Sequence, residues 1–159
     1  MEGATDVLWK QLQWRCGAVD TRHCVIPGFD NSSASHTALA YATGWAKRND
    51  AGLVVVHVEN MDGSRSLDTV FAAVGALPAL DCAQPDVSQQ VLKAMADAQT
   101  PWAYLNADGD VASQLEAVAD VLQADAIIVG RSRRGLRRFR SSVCRRLVAN
   151  SRRIVVIVP

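Results

Sequence analysis

LVVVHV, residues 53–58, decides the fold. Apart from His57 it is all aliphatic and mostly β-branched, with no polar alternation, as in a strand covered on both faces. Working outward, the same reading applies to AIIV at Ala126–Val129 and IVVIV at Ile154–Val158. It also applies to the shorter runs CVIPGF at Cys24–Phe29 and WAYL at Trp102–Leu105. Between these strands, apolar residues recur at helical spacing. Ala38, Leu39, Ala42, Trp45 and Ala46 predict a helix over 34–47, and Val91, Leu92 and Met95 one over 87–98. A helix over 111–122 follows Gly109-Asp110, and Val143, Leu147 and Val148 mark another over 142–149. Five apolar strands alternating with helices predict an α/β three-layer sandwich of the Rossmann-like class, with a five-stranded parallel sheet and right-handed crossovers. In such sheets ligands gather beyond the carboxyl ends of the strands, where the strand order reverses. The turns after Phe29, Val58, Leu105 and Val129 are therefore where a site is expected.

The chain has 159 residues, enough for one domain, and its 49% hydrophobic and 21% charged content is that of a globular protein. Residues 1–22, with Leu8, Trp9, Leu12 and Trp14, read as an N-terminal extension forming one amphipathic helix ahead of a domain over 23–159. Residues 60–86 read as a variable insertion, with a turn of helix around Thr69–Val74. No apolar run approaches the roughly 20 residues of a membrane span, and the first residues lack a secretory signal's pattern. The expectation is a cytoplasmic protein that does not enter membranes. Cys16, Cys24, Cys82 and Cys144 are too widely spaced for a CxxC pair or a disulfide framework, so they read as buried thiols.

A net charge of +1 conceals a division. Residues 1–125 carry seven basic and sixteen acidic residues, net −9, whereas residues 126–159 carry ten arginines and no acid. The neutral total excludes a nucleic-acid coat and an acidic disordered tail, and the basic end indicates one localised anionic partner or one neutralising contact.

Two motifs stand at the strand ends. Asp30-Asn31-Ser32-Ser33 follows the first strand, and Gly130-Arg131-Ser132-Arg133-Arg134-Gly135 follows the fourth, ahead of Ser141-Ser142-Val143. Together they resemble the universal stress protein family. There an Asp-x-Ser stretch faces a Gly-x2-Gly-x9-Gly-(Ser/Thr) loop in an adenine nucleotide alpha hydrolase-like fold. The resemblance covers about residues 23–159. It implies a regulatory module that binds an adenine nucleotide such as ATP, or another phosphorylated ligand, and that dimerises through the terminal strand. Carried over by position, it puts Asp30 and the backbone of Val58 on the adenosine side, with Gly28 at the small or proline position before the Asp. Gly130, Ser142 and Val143 then fall on the phosphate side, and Val129 and Ser141 are next to them among the expected nucleotide-binding positions.

The loop departs from that pattern. Arg133 stands at the second glycine position unless Gly135 serves it, Ser141 stands at the third, and the span from Gly130 to Ser141 is shorter than the family's. An arginine held in the left-handed conformation costs about 1–2 kcal/mol, so the usual triphosphate cradle is altered. In exchange the segment gains Arg131, Arg133, Arg134, Arg137, Arg138 and Arg140, whose guanidinium forks suit phosphate oxygens. The alternative is a solvated basic loop that neutralises the acidic body. Arg145, Arg146, Arg152 and Arg153 read as surface positions.

The remaining polar residues admit structural readings. Asp30 is either a ligand acceptor or a turn residue. Ser32 and Ser33 are helix caps rather than nucleophiles, since no His–Asp partner pattern accompanies them. His36 reads as a surface residue and His57 as a packed, hydrogen-bonded one. His23 beside Cys24 supplies only two possible metal ligands, too few for a site. Trp45 and Trp102 pack the sandwich. No base, nucleophile or metal cluster is recognisable, so no dedicated catalysis is expected. Two other functions compete: a ligand-free dimeric interaction protein whose loop has drifted, and nucleic-acid binding through the arginines, which only Phe139 interleaves.

Overall fold

The computed structural model describes residues 12–16, 23–59, 87–131 and 138–159, with the backbone alone at 12–16 and 138–142. The elements are β1 (Leu12–Cys16), β2 (Cys24–Pro27), α1 (Ser33–Asn49), β3 (Gly52–Glu59) and α2 (Val87–Ala94). They continue with β4 (Trp102–Asp108), α3 (Val111–Leu122), β5 (Ala126–Gly130), α4 (Arg138–Asn150) and β6 (Ile154–Val158). Strands β2 to β6 form the expected five-stranded parallel sheet.

The period-2 alternation of β3 explains the two cores. Leu53 and Val55 face one side, with Val25, Tyr104 and Ile128, and pack on Ala38, Leu39, Ala42 and Ala46 of α1 and Val91 of α2. Val54 and Val56 face the other, with Ile26, Leu105 and Ile127, and pack on Leu115, Val118 and Leu122 of α3 and Leu147 of α4. Full burial of each valine, leucine or isoleucine among them contributes about 1.5–3 kcal/mol. A run without polar residues is needed because neither face of the strand meets water.

Local chemistry fixes the helix ends. Ser32 caps α1, its Oγ accepting from the Ser35 N–H at 3.2 Å, and Asp50 ends the helix in the left-handed region at φ 52°. Asp110 caps α3, accepting from the Ser113 N–H at 2.9 Å and the Ser113 hydroxyl at 2.7 Å, and pairs with Arg146 of α4. Arg153 Nε donates to Asp120 at 3.3 Å, a second tie to α3. Asp110→Ala removes cap and ion pair together and is expected to destabilise by about 1–2 kcal/mol, read as a lower urea midpoint at unchanged slope. The Ser113 N–H above all, then its hydroxyl and Arg146, hold the Asp110 carboxyl below its ordinary 3.8. A lowered folded-state value stabilises above the unfolded one and is lost as pH falls from about 3.8. The variant should therefore show a shallower acid limb.

Three sequence expectations change. Leu12–Cys16 is not part of a helix but a strand, antiparallel to β4, so the sheet has six strands in the order β1-β4-β3-β2-β5-β6. Long-range pairing overrides the local helical spacing: a strand satisfies N–H and C=O groups along the β4 edge that a helix would leave open. Helix α2 ends at Ala94 rather than Ala98, and Met95–Asp97 form a turn. Helix α4 begins at Arg138, four residues before Ser142: arginine is a good helix former and phenylalanine no poorer than serine, so Ser141-Ser142, although it carries cap chemistry, falls inside the helix. The expected turn at Thr69–Val74 lies outside the described residues, as does the rest of 60–86.

Candidate functional site

From β2 the chain builds outward through β3 to β4, then returns to place β5 and β6 on the other side of β2. The reversal therefore falls between β2 and β5, whose register pairs Pro27 with Ile128. Beyond that pair β5 runs on to Gly130, and the chain after β2 passes through Gly28 and Phe29 to Asp30. Both turns leave at the same end of the sheet. The Gly28 N–H donates to the Ile128 carbonyl at 3.0 Å and the Phe29 N–H to that of Val56 at 2.8 Å, which fastens the first turn to both neighbours.

Gly130 is where the site is tightest. A Cβ there would lie 2.2 Å from the Ala34 carbonyl oxygen and 2.3 Å from its carbon, so β5 ends against the first turn of α1 at a distance only glycine permits. At Gly28 a Cβ would meet only side chains, Leu115 Cδ1 at 3.3 Å and Val129 Cγ1 at 3.4 Å.

The turn after β2 is held by its own side chains. Asp30 is exposed, and its Oδ1 accepts from the Ser32 N–H at 3.0 Å. Asn31 is left-handed at φ 61°, and its Oδ1 meets His36 Nε2 at 3.0 Å. His57 is half-buried, with Nδ1 donating to the Phe29 carbonyl at 2.8 Å. Ser32 is thus a cap, His36 a surface residue and His57 a packed one, as the sequence suggested. Trp102 is buried and Trp45 packs on the same core.

On the far side of the crevice, the Val129 side chain is core and Val143 packs at the margin of that core, as Val58 does from β3 on the near side. Arg131 is exposed and its N–H donates to the Val158 carbonyl at 2.7 Å. Ser141 and Ser142 lie within α4, so the open N–H groups of its first turn belong to Arg138, Phe139 and Arg140. Arg133 lies outside the described residues. Cys144, expected only as a buried thiol, is half-buried beside the site: its sulfur is 4.0 Å from the Gly130 carbonyl, and burial pushes its thiol above the ordinary 9.0. Ala34 was also missed; its signal is a small residue at the head of a helix that a glycine must approach. Asn106 is in register with His57, on the sheet face packed by α1 and α2, and its buried Oδ1 has no hydrogen-bond partner among the described residues. Among the described residues no group of three His, Cys, Asp or Glu is placed to hold a metal, and no helix is long and apolar enough to cross a membrane.

A family model for the universal stress proteins matches residues 22–159. The chain belongs to the universal stress protein family. No curated protein matches it in sequence. Among solved structures, universal stress protein UspA from Lactobacillus plantarum is similar at a TM-score of 0.64 and 19% identity, covering 90% of this chain and 100% of that one. A universal stress protein in complex with cAMP gives 0.62 at 19% identity, over 86% of this chain and 96% of that one. The Archaeoglobus fulgidus universal stress protein in complex with dAMP gives 0.59 at 16% identity, over 86% and 96% respectively. At these identities the likeness is one of fold. In this universal stress protein Gly130 packs closely on α1, and Ser141 is already helical.

Proposed function

We propose that this universal stress protein is a cytoplasmic regulatory module that binds an adenine nucleotide, ATP among them, in the crevice between β2 and β5. The observation that carries the reading is the meeting of the Asp30 and Gly130 turns where the strand order reverses, with Gly130 in backbone contact with α1. The relatives in complex with cAMP and dAMP support an adenine ligand. In this reading the Asp30 carboxylate accepts from ribose hydroxyls or the base amine, beside Gly28 and the Val58 backbone. Val129, Gly130, Ser141, Ser142 and Val143 flank the phosphates, and Arg131 and Arg133 supply the charge that the missing glycines no longer arrange through backbone N–H groups. The N-terminus of α4 adds about half a positive charge. Among the described residues no side chain is poised as nucleophile or base, and the proposed module hydrolyses a bound nucleotide slowly at most.

Calorimetric titration with ATP, ADP and cyclic AMP tests the reading. Saturable binding is expected, with stabilisation of about 2.7 kcal/mol at a hundredfold excess over Kd, or roughly 5–10 °C in melting midpoint. No heat and no shift at millimolar ligand would remove the nucleotide.

The same module is proposed to dimerise through β6. Ile154 is 67% and Ile157 37% exposed on this edge strand, with Val148 of α4 63% exposed. Open apolar edges call for cover. Ile154→Glu with Ile157→Glu should convert a dimer to a monomer in sedimentation; a persisting dimer would place the interface elsewhere.

A further inference from the structure

β1 lies outside the span matched by the family model, which begins at residue 22. Among the described strands it alone pairs with the edge of β4 away from β3. β4 is seven residues long, and Trp102, Ala103, Tyr104 and Leu105 are all buried. Without β1 it would present a row of unpaired N–H and C=O groups along an apolar strand, which is a template for pairing with another chain. β1 pairs with those four residues, Cys16 with Trp102 through Leu12 with Leu105, and the register slips between Leu12 and Trp14.

The pairing is within reach of its own chain. Cys16 pairs with Trp102, which lies at the amino end of the sheet, where β2 also begins. Three strand spacings separate β1 from β2, about 14 Å, and the eight steps from Cys16 to Cys24 reach about 26 Å. β1 is also a poor template in turn. It is short and its ladder is irregular, two of the means by which proteins blunt an edge. At the opposite edge, β6 is in unbroken register with β5 over five residues and exposes Ile154 and Ile157.

We propose that β1 is a cap that keeps β4 from pairing with a second copy of this chain, so that self-association proceeds at β6 alone. The second half of this statement rests on the β6 dimer proposed above. Sedimentation velocity over a hundredfold concentration range tests it on the full chain and on a Trp14→Pro, Arg15→Pro variant. Consecutive prolines remove at least one N–H that faces β4, since alternate residues of an antiparallel strand bond to the same neighbour. The full chain should hold one mass throughout, and the variant should at least double it as concentration rises. Equal masses for the two proteins overturn the cap. A full chain that is monomeric while the variant grows removes the β6 dimer and leaves the cap standing. Hydrogen exchange on the intact protein decides the matter even where the variant does not fold. All amides of Trp102–Leu105 should be protected, and exchange at unprotected rates by every second one overturns the proposal.

Discussion

Gly130→Ala is expected to lower the melting midpoint by about 5–10 °C, a loss of about 2–3 kcal/mol. The added Cβ would lie 2.2 Å from the Ala34 carbonyl oxygen. The obstacle is backbone in the first turn of α1, so no side-chain rotation relieves it. Either α1 must lift from the sheet, disturbing the packing of Ala38 and Leu39, or β5 must withdraw from β2. Both movements widen the crevice, so nucleotide affinity should fall with stability. Gly28→Ala is the control. Its Cβ would meet only the ends of Leu115 and Val129, at 3.3 and 3.4 Å, and should cost less than about 1 kcal/mol. Equal midpoints for the two variants, by calorimetry or circular dichroism, would show that β5 and α1 are not held at the described distance.

Asp30→Asn is expected to weaken adenine nucleotide binding about 10- to 100-fold while leaving the melting midpoint nearly unchanged. The amide oxygen can still accept from the Ser32 N–H that closes the turn at 3.0 Å, so the local fold survives. What is lost is a charged acceptor, and hydrogen bonds to charged groups contribute about 1.5–3 kcal/mol. Calorimetric titration of variant and parent with the same nucleotide measures the ratio. Equal affinities would put the adenosine contact on another group and reduce Asp30 to its turn role.

The parts of this fold that were legible in the sequence are those whose causes are local. LVVVHV, the helix at Val111–Leu122 and the terminal strand each follow from periodicity within a few residues, and Ser32 announces its cap by position. What escaped depends on partners far along the chain. β1 is a strand because β4, some ninety residues later, offers it an edge. The start of α4 was displaced because Ser141-Ser142 carries cap chemistry although Arg138 already begins the helix. At the site, the residue types and the strand ends were readable, but the contact between Gly130 and Ala34 needed three-dimensional proximity.

The charge division also acquires a finer meaning. Of the ten C-terminal arginines, Arg146 and Arg153 bind Asp110 and Asp120 of α3, so part of the positive charge neutralises the acidic body internally. Arg131, Arg145 and Arg152 are exposed, and only Arg131 among these three directly follows Gly130 at the crevice. The anion-binding proposal thus rests on Arg131 and its loop rather than on the whole basic segment.

Amide chemical shifts of the isotope-labelled protein during titration with ATP address the central proposal most directly. Binding at the crevice should move the resonances of Asp30, Val58, Gly130, Arg131 and Val143 in a saturable manner, with little change along α2 or at the amino ends of the strands. Spectra unchanged at millimolar ATP, or shifts confined to residues away from the β2–β5 reversal, would contradict it.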